Sequence, residues 1–342
     1  LLRVLGKGVL ERIIPTLVGK VSLDTSASSV DVVSDGGAEG DGNASALDAI
    51  RKILVLSGPR VLGFLVPRLV GEIPLSTAST RALAAAASVG GAKITPHLDE
   101  IVNALLESDE DANVAESISS SVEFLMQQLS FAGDDFCNTL LQKIMNGLKS
   151  AIPCQRSSSA RVVLALCRGA PAVAEEHAAV ILENFVRQLA DSDDDTSRSC
   201  WETLNGLLEA VGAPALIEHV GVLRRALRLA VSDASISSEL PGSRIPGLQV
   251  KNAPAPFITI GVEALLHGSA DIREQGALLL AELVELCDAK IISPFVIKTT
   301  GALIRVASDR FPWQLKAAIL QALLCLLKAC PALIRTFVPQ LQ

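Results

Sequence analysis

The chain contains no tyrosine, and its 342 residues include only nine phenylalanines and two tryptophans. That scarcity counts against a β-sandwich core, which draws on aromatic and β-branched side chains. Histidine is as sparse, with His97, His177, His219 and His267 spread over much of the chain. Seven cysteines occur without a single Cys-x-x-Cys. A zinc site would have to gather ligands from distant positions. Buried, reduced thiols in a cytoplasmic protein are the favoured reading. The longest apolar runs, 82–89 and 317–327, fall short of the roughly 20 residues that cross a bilayer, so no membrane association is expected.

Catalytic signatures are missing too. There is no G-x-x-x-x-G-K-[ST], no H-E-x-x-H and no G-x-S-x-G. The glycines of 36–42 lie in an acidic loop, which repels phosphate. Glu175-Glu176 and Asp193-Asp194-Asp195 are paired carboxylates, but both stand at expected helix starts, where capping and the helix dipole account for them. The sequon Asn43-Ala-Ser45 stays bare in a cytoplasmic protein. No catalytic residue, metal, cofactor or small-molecule substrate is expected.

What the chain does have is leucine, alanine, valine and isoleucine. Hydrophobic residues make up 49% of it, and leucine and alanine rank among the strong helix formers. They recur in a grammar of helix pairs, about every forty residues. A first helix carries proline near its start or middle. After a polar turn, a second helix opens on Asp, Ser or Thr, with Arg or Lys a few residues on. The pairs predicted are 9–22 with 44–56, 59–70 with 77–89, 94–106 with 113–129, 134–149 with 157–167 and 171–189 with 196–211. Pairs 256–267 with 272–287 and 292–306 with 312–328 follow. The segment 214–231 has no evident second helix. Asn43 and Asp271 are the expected N-caps of two second helices. The early basic residues Arg81, Arg161, Arg198 and Arg273 are expected to reach an acid of a neighbouring pair.

The predicted fold is all-α, an α-solenoid of stacked antiparallel helix pairs. Residues 1–231 form repeats interrupted by an acidic Ser/Gly insertion at 24–45. A Pro/Gly/Ser-rich loop covers 232–253, and repeats resume over 254–342. Such a fold offers an extended surface, suited to holding other proteins. Charge is uneven along it. Residues 91–219 hold eight Lys/Arg against twenty Asp/Glu, while 220–342 hold thirteen against nine. The acidic middle repels nucleic acid, and the basic C-terminal third suits an acidic partner.

The phrase Gly301-Ala-Leu-Ile-Arg305-Val-Ala-Ser-Asp309-Arg310-Phe311-Pro312-Trp313-Gln-Leu-Lys316 carries the sharpest signal. It reads as the bend between two apolar helices. Phe311 and Trp313 either staple the bend or stand out as anchors beside Arg305, Arg310 and Lys316.

The units resemble HEAT repeats. Phe64-Leu-Val-Pro-Arg-Leu69, Arg273-Glu-Gln-Gly-Ala277, Pro294-Phe-Val-Ile297, the 301–316 stretch and Phe337-Val-Pro-Gln-Leu-Gln342 resemble successive phrases of one family, the general-control translational activators. The resemblance covers most of the chain in order and is densest over 254–342. It implies a non-enzymatic scaffold that binds ribosomes and the RWD domain of the initiation factor 2α kinase, as well as other RWD-domain proteins, and activates that kinase during amino-acid starvation. By that resemblance the protein-binding residues are Arg305 and Arg310, with Lys316, Phe311, Trp313 and Lys298 around them. A different HEAT scaffold, such as a nuclear-transport receptor, phosphatase scaffold or elongation-factor arm, is the alternative.

Overall fold

In the computed structural model the described residues are 51–56, 61–71, 77–107, 121–131, 133–237 and 245–337, with isolated positions besides. The insertion at 24–45, the cap Asn43 and residues 238–244 lie outside them. Every regular element among the described residues is helical. The chain divides into two compact units, Leu1–Val173 and Ala174–Gln342.

In the first unit, α1 (Leu62–Val70) pairs with α2 (Thr77–Gly90). Next come α3 (Leu98–Glu107), α4 (Asp134–Gly147) and α5 (Pro153–Gly169). The helix α3 packs on α1 and in turn receives α4 and α5. Leu65, Leu69, Ile101, Leu105, Leu141 and Val163 are among the residues that bury this unit's core. Salt bridges cross between neighbours, from Lys143 to Asp99 at 2.6 Å and from Arg168 to Glu123 at 3.1 Å.

Two first helices are broken at their prolines, since proline lacks an N–H and disturbs the turn before it, whereas α1 runs on through Pro67. The stretch predicted as 94–106 starts as a 3₁₀ segment, Gly91–His97, around Pro96. Likewise 292–306 divides at Pro294 into Ala289–Ile292, Ser293–Phe295 and a regular helix.

The second unit contains α6 (Ala178–Gln188), α7 (Asp194–Val211), α8 (Ala213–Leu216), α9 (Val220–Ser237), α10 (Ala255–His267), α11 (Ala270–Leu286), α12 (Val296–Ala307), α13 (Trp313–Ala329) and α14 (Pro331–Ile334). Pairs α6/α7, α10/α11 and α12/α13 form helix hairpins, and α13 stacks on α11 while α12 stacks on α10. Within α10/α11 the helices come close at two glycines. A Cβ on Gly276 would lie 2.9 Å from the Gly261 carbonyl oxygen.

The segment without a partner helix solves its packing by serving two neighbours. Its start, around α8 and Ile217–His219, packs on α10, and its body α9 packs on both α6 and α11. Arg187 pairs with Asp233 at 2.9 Å and Arg225 with Glu183 at 3.1 Å across α6 and α9. Buried Arg224 and exposed Arg228 of α9 both grip Glu282 of α11, at 2.7 and 2.6 Å. Arg224 also donates to the Gln275 side chain.

Residues 245–254 are folded against this unit. Ile245, Leu248 and Ala253 are buried. The Gly247 N–H donates to the Leu189 carbonyl at 2.9 Å. The Gln249 amide donates to the Leu286 carbonyl at 2.8 Å and accepts from the Asp288 N–H at 3.1 Å. One glutamine side chain thereby satisfies backbone groups that the end of α11 leaves open.

Candidate protein-binding site

The bend between α12 and α13 is built from backbone rules. The helix α12 buries Val296, Thr300, Leu303 and Val306, which leaves Ile297, Lys298, Gly301 and Arg305 on its outer face. The Ser308 hydroxyl donates to the Arg305 carbonyl at 2.7 Å, and the Asp309 N–H donates to the Val306 carbonyl at 3.1 Å, ending the helix. Pro312 then occupies the N-cap of α13 in an extended conformation, with no side-chain cap. Proline fits here because the first helical N–H groups have no intrahelical acceptor.

The two aromatic residues of the bend part ways. Trp313 is 73% exposed. Phe311 is half-buried, and its ring lies under the Arg273 guanidinium, 4.8 Å from the carbon to the ring centroid. Arg305, Arg310, Lys316 and Lys298 are exposed. The exposed set is therefore four cations and one indole, and Phe311 faces Arg273.

The early basic residues do not form the expected ladder to neighbouring acids. Arg198 pairs with Asp195 of its own helix at 3.2 Å. Arg273 donates to the carbonyls of Gly268 at 2.7 Å and Leu265 at 2.8 Å, closing the end of α10. Those carbonyls lie one short bend away and are unpaired within their helix. A distant carboxylate offers less to a cation already in reach of them. The salt bridges between neighbouring helices use other residues, among them Lys143–Asp99, Arg187–Asp233 and Arg224–Glu282. The cap of α11 is Ser269, whose hydroxyl accepts from the Ile272 N–H at 3.4 Å, and Asp271 sits within the first turn. In α7 the Asp193 carboxylate accepts from the Thr196 N–H at 2.8 Å, as its sequence position suggests.

Trp201 is half-buried in α7. Thiol chemistry is subdued at several cysteines. Burial pushes the Cys167 and Cys287 thiols up to about 12. Burial, then a hydrogen bond to the Glu285 carboxylate at 3.1 Å, takes Cys325 to about 11. Among the described residues no group of three or more His, Cys, Asp or Glu is placed to hold a metal ion. No single helix among them is long and apolar enough to cross a membrane.

The sequence reading missed Arg273 as the partner of Phe311, and it missed the outward leucines of α13. The run Ala317-Ala-Ile-Leu-Gln-Ala-Leu-Leu-Cys-Leu-Leu327 is apolar on every face of a helix, which is the signal that some of it lies outside the core.

Comparison with known proteins fits this architecture. The family model described as "Stalled ribosome sensor GCN1-like, HEAT repeats" matches residues 61–252, more than half of the chain. The chain belongs to the GCN1-like HEAT-repeat family. It is 31% identical over 302 residues to Protein ILITYHIA of Arabidopsis thaliana, covering 88% of this chain and 11% of that protein. It is 27% identical to the human stalled ribosome sensor GCN1, covering 87% of this chain and 11% of that protein. It is 29% identical to the eIF-2-alpha kinase activator GCN1 of Saccharomyces cerevisiae, covering 88% and 11%. The chain thus spans about a ninth of the length of these relatives.

Proposed function

We propose that this chain is a non-enzymatic, cytoplasmic scaffold segment that binds the RWD domain of the initiation factor 2α kinase and promotes its activation on stalled ribosomes during amino-acid starvation. Membership of a family whose relatives are named as stalled ribosome sensors and eIF-2-alpha kinase activators supports this reading. The observation that carries it is the bend at 305–316, where Arg305, Arg310 and Lys316 stand exposed around an indole 73% open to solvent. Arginine and tryptophan are over-represented among residues that dominate interface energetics. Residues 310–342 contain no Asp or Glu, so the local field favours an acidic partner. The scaffold would act by holding the kinase near the ribosome, raising its effective concentration there.

Arg305 and Arg310 contact the partner directly in this reading, with Lys298 and Lys316 steering and Trp313 as apolar anchor. The test is a pull-down of the kinase's RWD domain with the chain and its R305A/R310A variant. The double variant is expected to lose binding while keeping the parent's helicity and melting temperature. Undiminished binding would remove the bend from the interface.

A further inference from the structure

The bend between α12 and α13 turns one side chain inward. Of residues 308–314, Phe311 alone is not exposed. The Phe311 N–H donates to the Asp309 carbonyl at 3.0 Å, which closes a three-residue turn with Arg310 at its centre. In so tight a turn the central residue's backbone has little independent freedom. The direction in which the Arg310 side chain leaves the chain is therefore tied to the place that Phe311 occupies.

What Phe311 meets is itself fixed. Arg273 Nε donates to the Gly268 carbonyl at 2.7 Å and Nη1 to the Leu265 carbonyl at 2.8 Å. Two bonds from one planar fork set the guanidinium's plane, and its carbon lies 4.8 Å from the Phe311 ring centroid. A line of contacts thus runs from the end of α10, through Arg273 and Phe311, to Arg310. Exposure at that place in a bend survives the stacking of a further hairpin. Arg310 stands three residues before the first residue of α13, and His267 stands three before that of α11. His267 is exposed although α12/α13 stacks on its hairpin.

We infer that Arg273 is a positioning residue for partner recognition: acting through the Phe311 ring, it fixes the direction in which Arg310 is presented. The inference rests on the reading of the bend as the binding site for the RWD domain. A guanidinium binds a carboxylate best through two parallel N–H bonds, a geometry that depends on how the side chain is aimed. Arg310 held in place loses less freedom on binding than one on a loose turn. Arg273 itself stays behind the ring, so its effect reaches the partner through the backbone of the bend. R273K keeps a cation near the ring, but a single ammonium cannot reproduce the planar fork to both carbonyls.

The experiment titrates the full chain with the kinase's RWD domain by calorimetry, well below the melting midpoint of every variant. R273A is expected to weaken binding about tenfold through lost preorganisation, F311L by a similar factor and R273K by less. R273A/R310A should bind no more weakly than R310A alone, because a residue that acts through Arg310 then has nothing left to aim. A merely structural role would lower the melting temperature of R273A and leave the dissociation constant unchanged. Backbone nitrogen relaxation gives a reading without the partner. The order parameter of the Arg310 amide should be near that of the helices in the parent and fall below about 0.6 in R273A. An RWD domain that binds the parent and R273A equally well would overturn the inference and leave the proposed function standing. So would a tenfold loss that persists in the R310A background, or an unchanged order parameter. If the RWD domain does not bind the parent, the proposed function falls, and this role in recognition falls with it.

Discussion

The guanidinium of Arg273 lies 4.8 Å from the centroid of the Phe311 ring, and the same group donates to the carbonyls of Gly268 and Leu265. One side chain therefore closes the bend of its own hairpin and clasps the bend of the next. Stacked hairpins gain register from such a contact, because sliding the α12/α13 hairpin by one turn would carry Phe311 away from Arg273.

This arrangement separates two neighbouring aromatics by role. F311A is expected to destabilise the chain by about 2 kcal/mol, through lost burial and the lost cation–π contact. W313A should leave the denaturation midpoint within about 0.5 kcal/mol of the parent, as exposed substitutions do. Chemical denaturation of both variants checks this. Equal losses would show that the two rings share one structural task.

The contacts of α9 give a contrast between two acids. Glu282 answers two arginines, one of them the buried Arg224. E282A leaves that cation without its carboxylate and should cost about 3 kcal/mol. Glu183 meets only the exposed Arg225, so E183A should cost no more than about 0.5 kcal/mol. Urea melts of the two variants would test the ranking, and a large loss in E183A alone would contradict it.

Gly276 is constrained by its neighbour across the α10/α11 hairpin. A Cβ there meets the Gly261 carbonyl oxygen at 2.9 Å and the Ala264 Cβ at 3.1 Å. G276V must push the helices apart, at about 2 kcal/mol or more. On an open helical position such as Gly301, where nothing lies within 4 Å of a Cβ, alanine should instead stabilise by about 1 kcal/mol through helix propensity. Thermal melts that moved both variants in the same direction would refute the distinction.

The buried thiols tie stability to alkaline pH. Cys167 and Cys287 are raised from 9.0 to about 12 because burial disfavours the thiolate. Their folded values lie above the unfolded ones. Their contribution is therefore intact below about pH 9 and declines as pH rises toward 12. Melting temperature should hold between pH 7 and 8 and fall above 9. Thiol-specific reagents should label both residues at pH 8 only after denaturation, and rapid labelling of the native chain would contradict this.

Much of the fold was legible in the residues themselves. Leucine and alanine at helical spacing, with prolines at the heads of first helices, located α1, α2, α4, α10, α11 and α13 to within a few residues. That information is local, since propensity and amphipathic period act within one helix. The breaks at Pro96 and Pro294 were present as residues, but whether proline ends, kinks or opens a helix depends on what the freed carbonyls find nearby. Arg273 illustrates the limit. Its place early in a second helix suggested a bond to a neighbouring acid, whereas carbonyls at the end of α10 stood closer.

By itself, then, the amino-acid order determined that this chain would be helical, paired and without catalytic signatures, because each of those follows from side chains within a turn or two of one another. Only the tertiary structure decided which bend residue turned inward, which helix α9 would serve in place of an absent partner, and which leucines of an all-apolar helix would meet water. Those outcomes depend on how neighbouring hairpins share a limited buried area, and each is set by groups about forty or more positions apart.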